Sequence, residues 1–147
     1  MKAQEGKVGR IFIIRLEEGD LIPTCIENFA AEHKVSVGYA TLVGGISNGQ
    51  VVVGPRNSES KVPDPMLLPV DGAHELVGAG VLAPDADGKP VLHIHAALGR
   101  AGRTMTGCLR PGVITWLVVE VVLLEILDID AARLKDEQSG FSLLTMR

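Results

Sequence analysis

The sequence predicts an α+β fold in which a largely antiparallel sheet carries one main amphipathic helix, with residues 1–147 forming a single domain. Three observations carry that expectation. Short runs rich in Val, Ile and Leu recur along most of the chain, separated by Gly, Pro and Asp clusters, as in sheets of consecutive antiparallel strands. Only Leu21 to Lys34 places its apolar residues at helical spacing. A length of 147 residues with 46% hydrophobic and 22% charged residues suits one ordinary globular core.

The elements follow in order. Lys7 to Leu16 is β-branched and ends at Glu17-Glu18-Gly19-Asp20, a strand followed by a turn whose Asp20 is placed to cap a helix. In the helix, Leu21, Ile22, Cys25, Ile26, Phe29 and Ala30 form the apolar stripe, and Pro23 fits only near its first turn. Val35 to Val43 and Gln50 to Val53 read as two strands joined by a turn at Gly44-Gly45. Gly54 to Pro65, with its three prolines, reads as an exposed loop. Met66 to Val70, Glu75 to Leu82, Val91 to Leu98 and Thr104 to Leu109 are four further strands divided by turn residues. The Val and Ile content of Val113 to Leu127 favours a long strand, bent or broken along its length, over a helix. The tail from Ala131 reads as loop with a last strand at Phe141 to Thr145.

Charge and composition exclude several classes. Fourteen Lys and Arg against eighteen Asp and Glu give a net charge of −4, which disfavours holding a polyanion by bulk charge. Phe12, Phe29, Phe141, Tyr39 and Trp116 are too few for the stacking platforms of single-strand binders. The most apolar run, Val113 to Leu127, contains Glu120 and Glu125 and is too short for a membrane span. No apolar leader opens the sequence, and Cys25 and Cys108 require no disulfide, so a reducing, cytoplasmic setting is expected. No Lys-Ser/Thr follows Gly44-Gly45 at phosphate-loop spacing, and Gly-x-Ser-x-Gly is absent.

The chemistry concentrates in Leu92-His93-Ile94-His95, where strand alternation places both imidazoles on one face. If Arg100 and Ala101 form the tip of the following hairpin, Cys108 lies opposite His93 with His95 one diagonal away. A register shifted by two residues puts Cys108 opposite His95 instead, and a shift of one turns the thiol to the other face. Either of the first two gathers three ligands suited to zinc or another divalent transition metal, with a fourth position left for water or substrate. The alternative is two half-buried sheet histidines and a small buried cysteine. His74 reads as a solvated turn residue, and His33 as a helix-end residue that complements the dipole or faces water. Arg15 either reaches an anionic ligand or pairs with a carboxylate, and pairing is favoured. Glu120 either serves a metal-bound water or lies on an exposed or subunit-facing strand surface, which is the commoner setting.

Ile13-Ile14-Arg15-Leu16, Gly44-Gly45-Ile46-Ser47, Leu92-His93-Ile94-His95-Ala96 and Gly107-Cys108-Leu109 together resemble the plant-and-prokaryote conserved (PPC) domain family. The similarity runs from about Lys7 to Leu144, with Asp136-Glu137-Gln138-Ser139-Gly140 similar to its C-terminal signature. The resemblance implies an α+β homotrimer and a metal site at His93, His95 and the position of Cys108, where the family pattern has histidine. Plant members carry AT-hooks, and many stand-alone members are labelled DNA-binding. This chain has no Arg-Gly-Arg-Pro hook and no basic tail. The leading expectation is thus a cytoplasmic trimeric metal-binding protein acting on a small ligand, with hydrolytic or lyase-like chemistry, or retaining a vestigial site. A DNA-associated scaffold presenting Arg56, Arg100, Arg103 and Arg110 is the alternative.

Overall fold

Alternation of buried and exposed residues along nearly every apolar run sets the architecture. The computed structural model describes residues 1–147. It contains β1 (Lys7–Glu17), β2 (Leu21–Ile22), α1 (Thr24–Glu32), β3 (Gly38–Pro55), β4 (Pro65–Pro84), β5 (Pro90–Arg100), β6 (Arg103–Leu109), β7 (Val113–Leu127), β8 (Ala131–Lys135) and β9 (Ser142–Met146). The main sheet runs β1-β7-β3-β4-β5-β6 with every pairing antiparallel, and β2 adds to β7. β6 also pairs with the far half of β3 through Val51–Leu109 and Val52–Cys108, so the sheet curls back on itself at that end. β8 and β9 form a separate hairpin.

The inward face of the sheet and α1 enclose one core of 21 buried residues, including Ile26 and Ala30 of the helix and Leu92, Ile94, Ala96 and Leu98 of β5. Fully burying a side chain such as Ile94 or Leu98 contributes about 1.5–3 kcal/mol relative to leaving it exposed. Helix and sheet are further tied by Glu27, whose Oε1 accepts the Leu92 N–H at 2.9 Å. That bond fixes β5 one residue from His93.

The mainly antiparallel sheet agrees with expectation, but its single helix has only nine residues. Leu21 and Ile22 pair with Ile114 and Val113 as strand, so the helix begins only after Pro23. Asp20 caps no helix: its Oδ2 accepts the Glu17 N–H at 2.8 Å and closes the turn after β1. Two expected turns are irregularities inside long strands. At Gly44-Gly45 the β3–β7 register shifts opposite a β7 bulge, where Leu117 has φ +58, and a Cβ on Gly45 would lie 2.7 Å from the Trp116 ring. The β3–β4 register likewise shifts at Asp71-Gly72. In the tail, β8 forms where loop was expected, because Ala131 to Lys135 pairs with Ser142 to Met146.

Glu125 of β7 is buried, and its carboxylate accepts the Arg10 backbone N–H at 3.0 Å, Nε at 2.8 Å and Nη2 at 2.6 Å. These Arg10 bonds hold its pKa down at about 2, against an ordinary value of 4.5. A folded-state pKa below the unfolded one stabilises the fold above pH 4.5, and the contribution is lost as pH falls through about 2. Urea unfolding of the wild type therefore loses stability through this window, and Glu125→Gln shows a shallower slope; equal slopes would contradict the assignment.

Candidate metal centre

The β5–β6 hairpin builds the site. Its tip is Ala101-Gly102, both with positive φ (51° and 74°), as a two-residue primed turn requires. Arg100 therefore pairs with Arg103, and counting back along both strands places Cys108 opposite His95. Of the two registers that gather the ligands, this is the one shifted by two residues. His93 and His95 project from the face opposite Leu92 and Ile94 and are exposed, whereas Cys108 is half-buried. Their ligand atoms all lie within 4.8 Å of one another. The imidazole rings stand edge to face, with centroids 5.0 Å apart.

Burial lowers the His93 pKa, and the positive charges of Arg133, His95 and Arg110 lower it further. Its neutral, ligand-competent form is thus favoured. Burial raises the Cys108 pKa, opposed by the charges of Arg110 and Arg133. The set fits a borderline-soft divalent ion: two imidazoles and one thiol converge at a sheet surface, and three ligands leave a position open.

Other candidates are distributed differently. Arg15 and Glu120 face each other across β1 and β7, both exposed, with β3 and β4 between Glu120 and the histidine strand. Arg15 Nη1 pairs with Glu17 Oε1 at 3.2 Å. His33 sits at the C-cap of α1, exposed and stacked on Phe29 with centroids 3.9 Å apart. His74 departs from its expected solvated position: it is buried in β4, with Nδ1 at 2.9 Å from the Gly72 carbonyl oxygen.

The residue that sequence reasoning missed is Arg133 of β8. It is 6% exposed and reaches across the ends of β4 and β5, donating from Nη2 to Val81 O at 2.7 Å and from Nε to Val91 O at 3.4 Å. Val81 is the strand partner of His93. The available signal was a cation following the apolar pair Ala131-Ala132, in a stretch that reads as loop. The Asp136–Gly140 signature closes the same hairpin, with Ser139 N and Oγ donating to Asp136 Oδ2 at 2.8 and 2.6 Å.

Comparison with known proteins identifies the fold and the family. A metal-containing protein from Archaeoglobus fulgidus has the same fold at a TM-score of 0.85, with 27% identity over 99% of each chain. A plant- and prokaryote-conserved protein from Pyrococcus horikoshii matches at 0.84, with 26% identity over 100% of this chain and 99% of that one. A segment of the bifunctional protein GlmU of Synechococcus sp. (strain JA-3-3Ab) is 26% identical over 134 residues; this chain spans about a fifth of that protein's length. The Plants and Prokaryotes Conserved (PCC) domain matches residues 3–127. With that match covering most of the chain and the fold shared with a plant- and prokaryote-conserved protein, this chain belongs to the Plants and Prokaryotes Conserved domain family.

Proposed function

We propose that this chain is a metal-binding protein in which His93, His95 and Cys108 hold one divalent transition ion, best matched by zinc, for work on a small ligand. The observation that carries the reading is the convergence of the three ligand atoms within 4.8 Å across the β5–β6 hairpin. The metal-containing relative at 27% identity supports it. An ion held by three protein ligands supplies Lewis acidity at its remaining position. The chain itself contributes orientation: β5 is pinned by Glu27 at Leu92, and the β6 register brings the thiol opposite His95. Elemental analysis of protein purified without a histidine tag tests the reading. About one zinc per chain is expected, and protein free of transition metal after purification and zinc reconstitution would contradict it.

The working form in this proposal is a homotrimer. Exposed Ile13 and Val122 are strand partners on β1 and β7, and exposed Val43 and Val77 are partners on β3 and β4. With Ile11 and Leu117 also exposed, they give the outer face an apolar character that subunit contact would cover. Light scattering at micromolar concentration should give three times the 15.6 kDa chain mass. Melting should rise with protein concentration. A monomer mass would contradict the trimer.

Specific duplex binding is not part of this reading. Arg56 Nε is paired with Asp64 at 2.9 Å, Arg100 donates to the Asp71 carbonyl, and Arg110 acts electrostatically on the histidine–cysteine site. Arg56 and Arg100 of the alternative's arginine set are thereby engaged within the chain, and the net charge is −4. Electrophoretic titration at physiological salt should show no sub-micromolar binding to AT-rich or mixed duplexes. Tight binding lost in the Arg100→Ala, Arg103→Ala double variant would promote the scaffold role instead. No helix is long and apolar enough to cross a membrane.

A further inference from the structure

We propose that this site receives a small anionic ligand, with Arg133 and Arg110 binding its carboxylate or phosphate group; the inference rests on the metal reading above. Arg133 carries most of the argument. A guanidinium buried this deeply is costly without a counter-charge, and buried arginines are ordinarily paired. Arg133 has no carboxylate partner: none of the five ion pairs in the chain includes it or Arg110. Only the Val81 and Val91 carbonyls accept from it, through Nη2 and Nε. Its Nη1 makes no hydrogen bond within the chain and is not sealed from solvent, so one N–H edge of the fork stays available.

The electrostatics of the neighbourhood point the same way. Arg110 follows Cys108 by two residues, its backbone N–H held by the Gln50 carbonyl at 3.1 Å, and Arg133 is bonded to the strand partner of His93; both positive charges are felt at His93 and Cys108, where no carboxylate opposes them. A divalent ion with a single thiolate ligand beside two arginines leaves about three positive charges uncompensated, a strong attraction for an anion. Guanidinium groups match the paired oxygens of carboxylate and phosphate, and one further oxygen donor is what a three-ligand ion lacks. Both histidines are exposed, so the ligand can enter from solvent. Arg133 also ties the C-terminal hairpin to β4 and β5, so the test must separate anion binding from that structural role.

Cobalt(II) replaces zinc as the reporter, because its visible absorption responds to a new ligand. Cobalt-loaded wild type is titrated with inorganic phosphate, oxalate and neutral oxamide. A saturable spectral change with phosphate or oxalate, and none with oxamide, is expected; response to oxalate alone assigns carboxylate, and to phosphate alone assigns a phosphoryl group. Arg133→Lys and Arg110→Gln should each raise the half-saturating anion concentration about tenfold or more while cobalt content is unchanged. Arg110 follows the end of β6 and is only half-buried, so Arg110→Gln carries the test if Arg133→Lys fails to fold. No response to either anion, or unaltered affinity in the folded variants, would overturn the proposal. If wild type takes up no cobalt, the metal reading fails, and calorimetry of the same anions with metal-free wild type and Arg110→Gln decides the arginine pair by itself.

Discussion

Replacing both His93 and His95 by alanine is expected to reduce bound metal from about one per chain to background while leaving the fold intact. Both side chains project away from the core, so their removal opens no cavity among Leu92, Ile94 and Ala96. Removing two of three protein ligands leaves one half-buried thiol, whose raised pKa makes it a poor ligand alone. Cys108→His should keep the metal, because zinc accepts imidazole in place of thiolate and the family pattern has histidine there. Cys108→Ala should weaken it strongly. Equal metal content in the wild type and the double-alanine variant would show that the ion is held elsewhere.

Gly107→Ala should destabilise the protein by about 2–4 kcal/mol and weaken metal binding with it. A Cβ at this position would enter the Val52 carbonyl and lie 2.7 Å from Val51 Cγ1, so backbone and not a flexible side-chain tip must yield. β6 pairs with β3 at only two positions, Val51–Leu109 and Val52–Cys108. Pushing β6 off β3 therefore displaces Cys108 from its place opposite His95. Urea unfolding and a zinc competition titration measure the two effects. A folded variant with wild-type stability and affinity would contradict the close approach of β6 to β3.

Much of this arrangement is legible in the sequence because it is local. Alternation in Leu92-His93-Ile94-His95 assigns the face of each side chain whatever the partner strand. The hairpin register was narrower information: Arg100-Ala101 and Ala101-Gly102 are both possible tips, and the positive φ at Ala101 and Gly102 selects the second. Long-range features were hidden. Gly44-Gly45 and Asp71-Gly72 resemble turns, and only the bulged partner strand shows that the chain continues through them. Pro23 fits a first helical turn, but pairing of Leu21 and Ile22 with β7 claims the preceding residues for the sheet. Arg133 belongs to a five-residue strand that exists only because β9 returns beside it, so its approach to the histidine strand could not be read locally. The burial of His74 likewise depends on the β3–β4 register, which pairs it with Ile46.

The central claim is a metal ion held by two imidazoles and one thiolate, and X-ray absorption at the metal edge of tag-free protein reads that ligand set directly. The account predicts one sulfur at about 2.3 Å and two imidazole nitrogens at about 2.0–2.1 Å for zinc, with one light-atom position remaining. A first shell of oxygens without sulfur or imidazole scattering would contradict it.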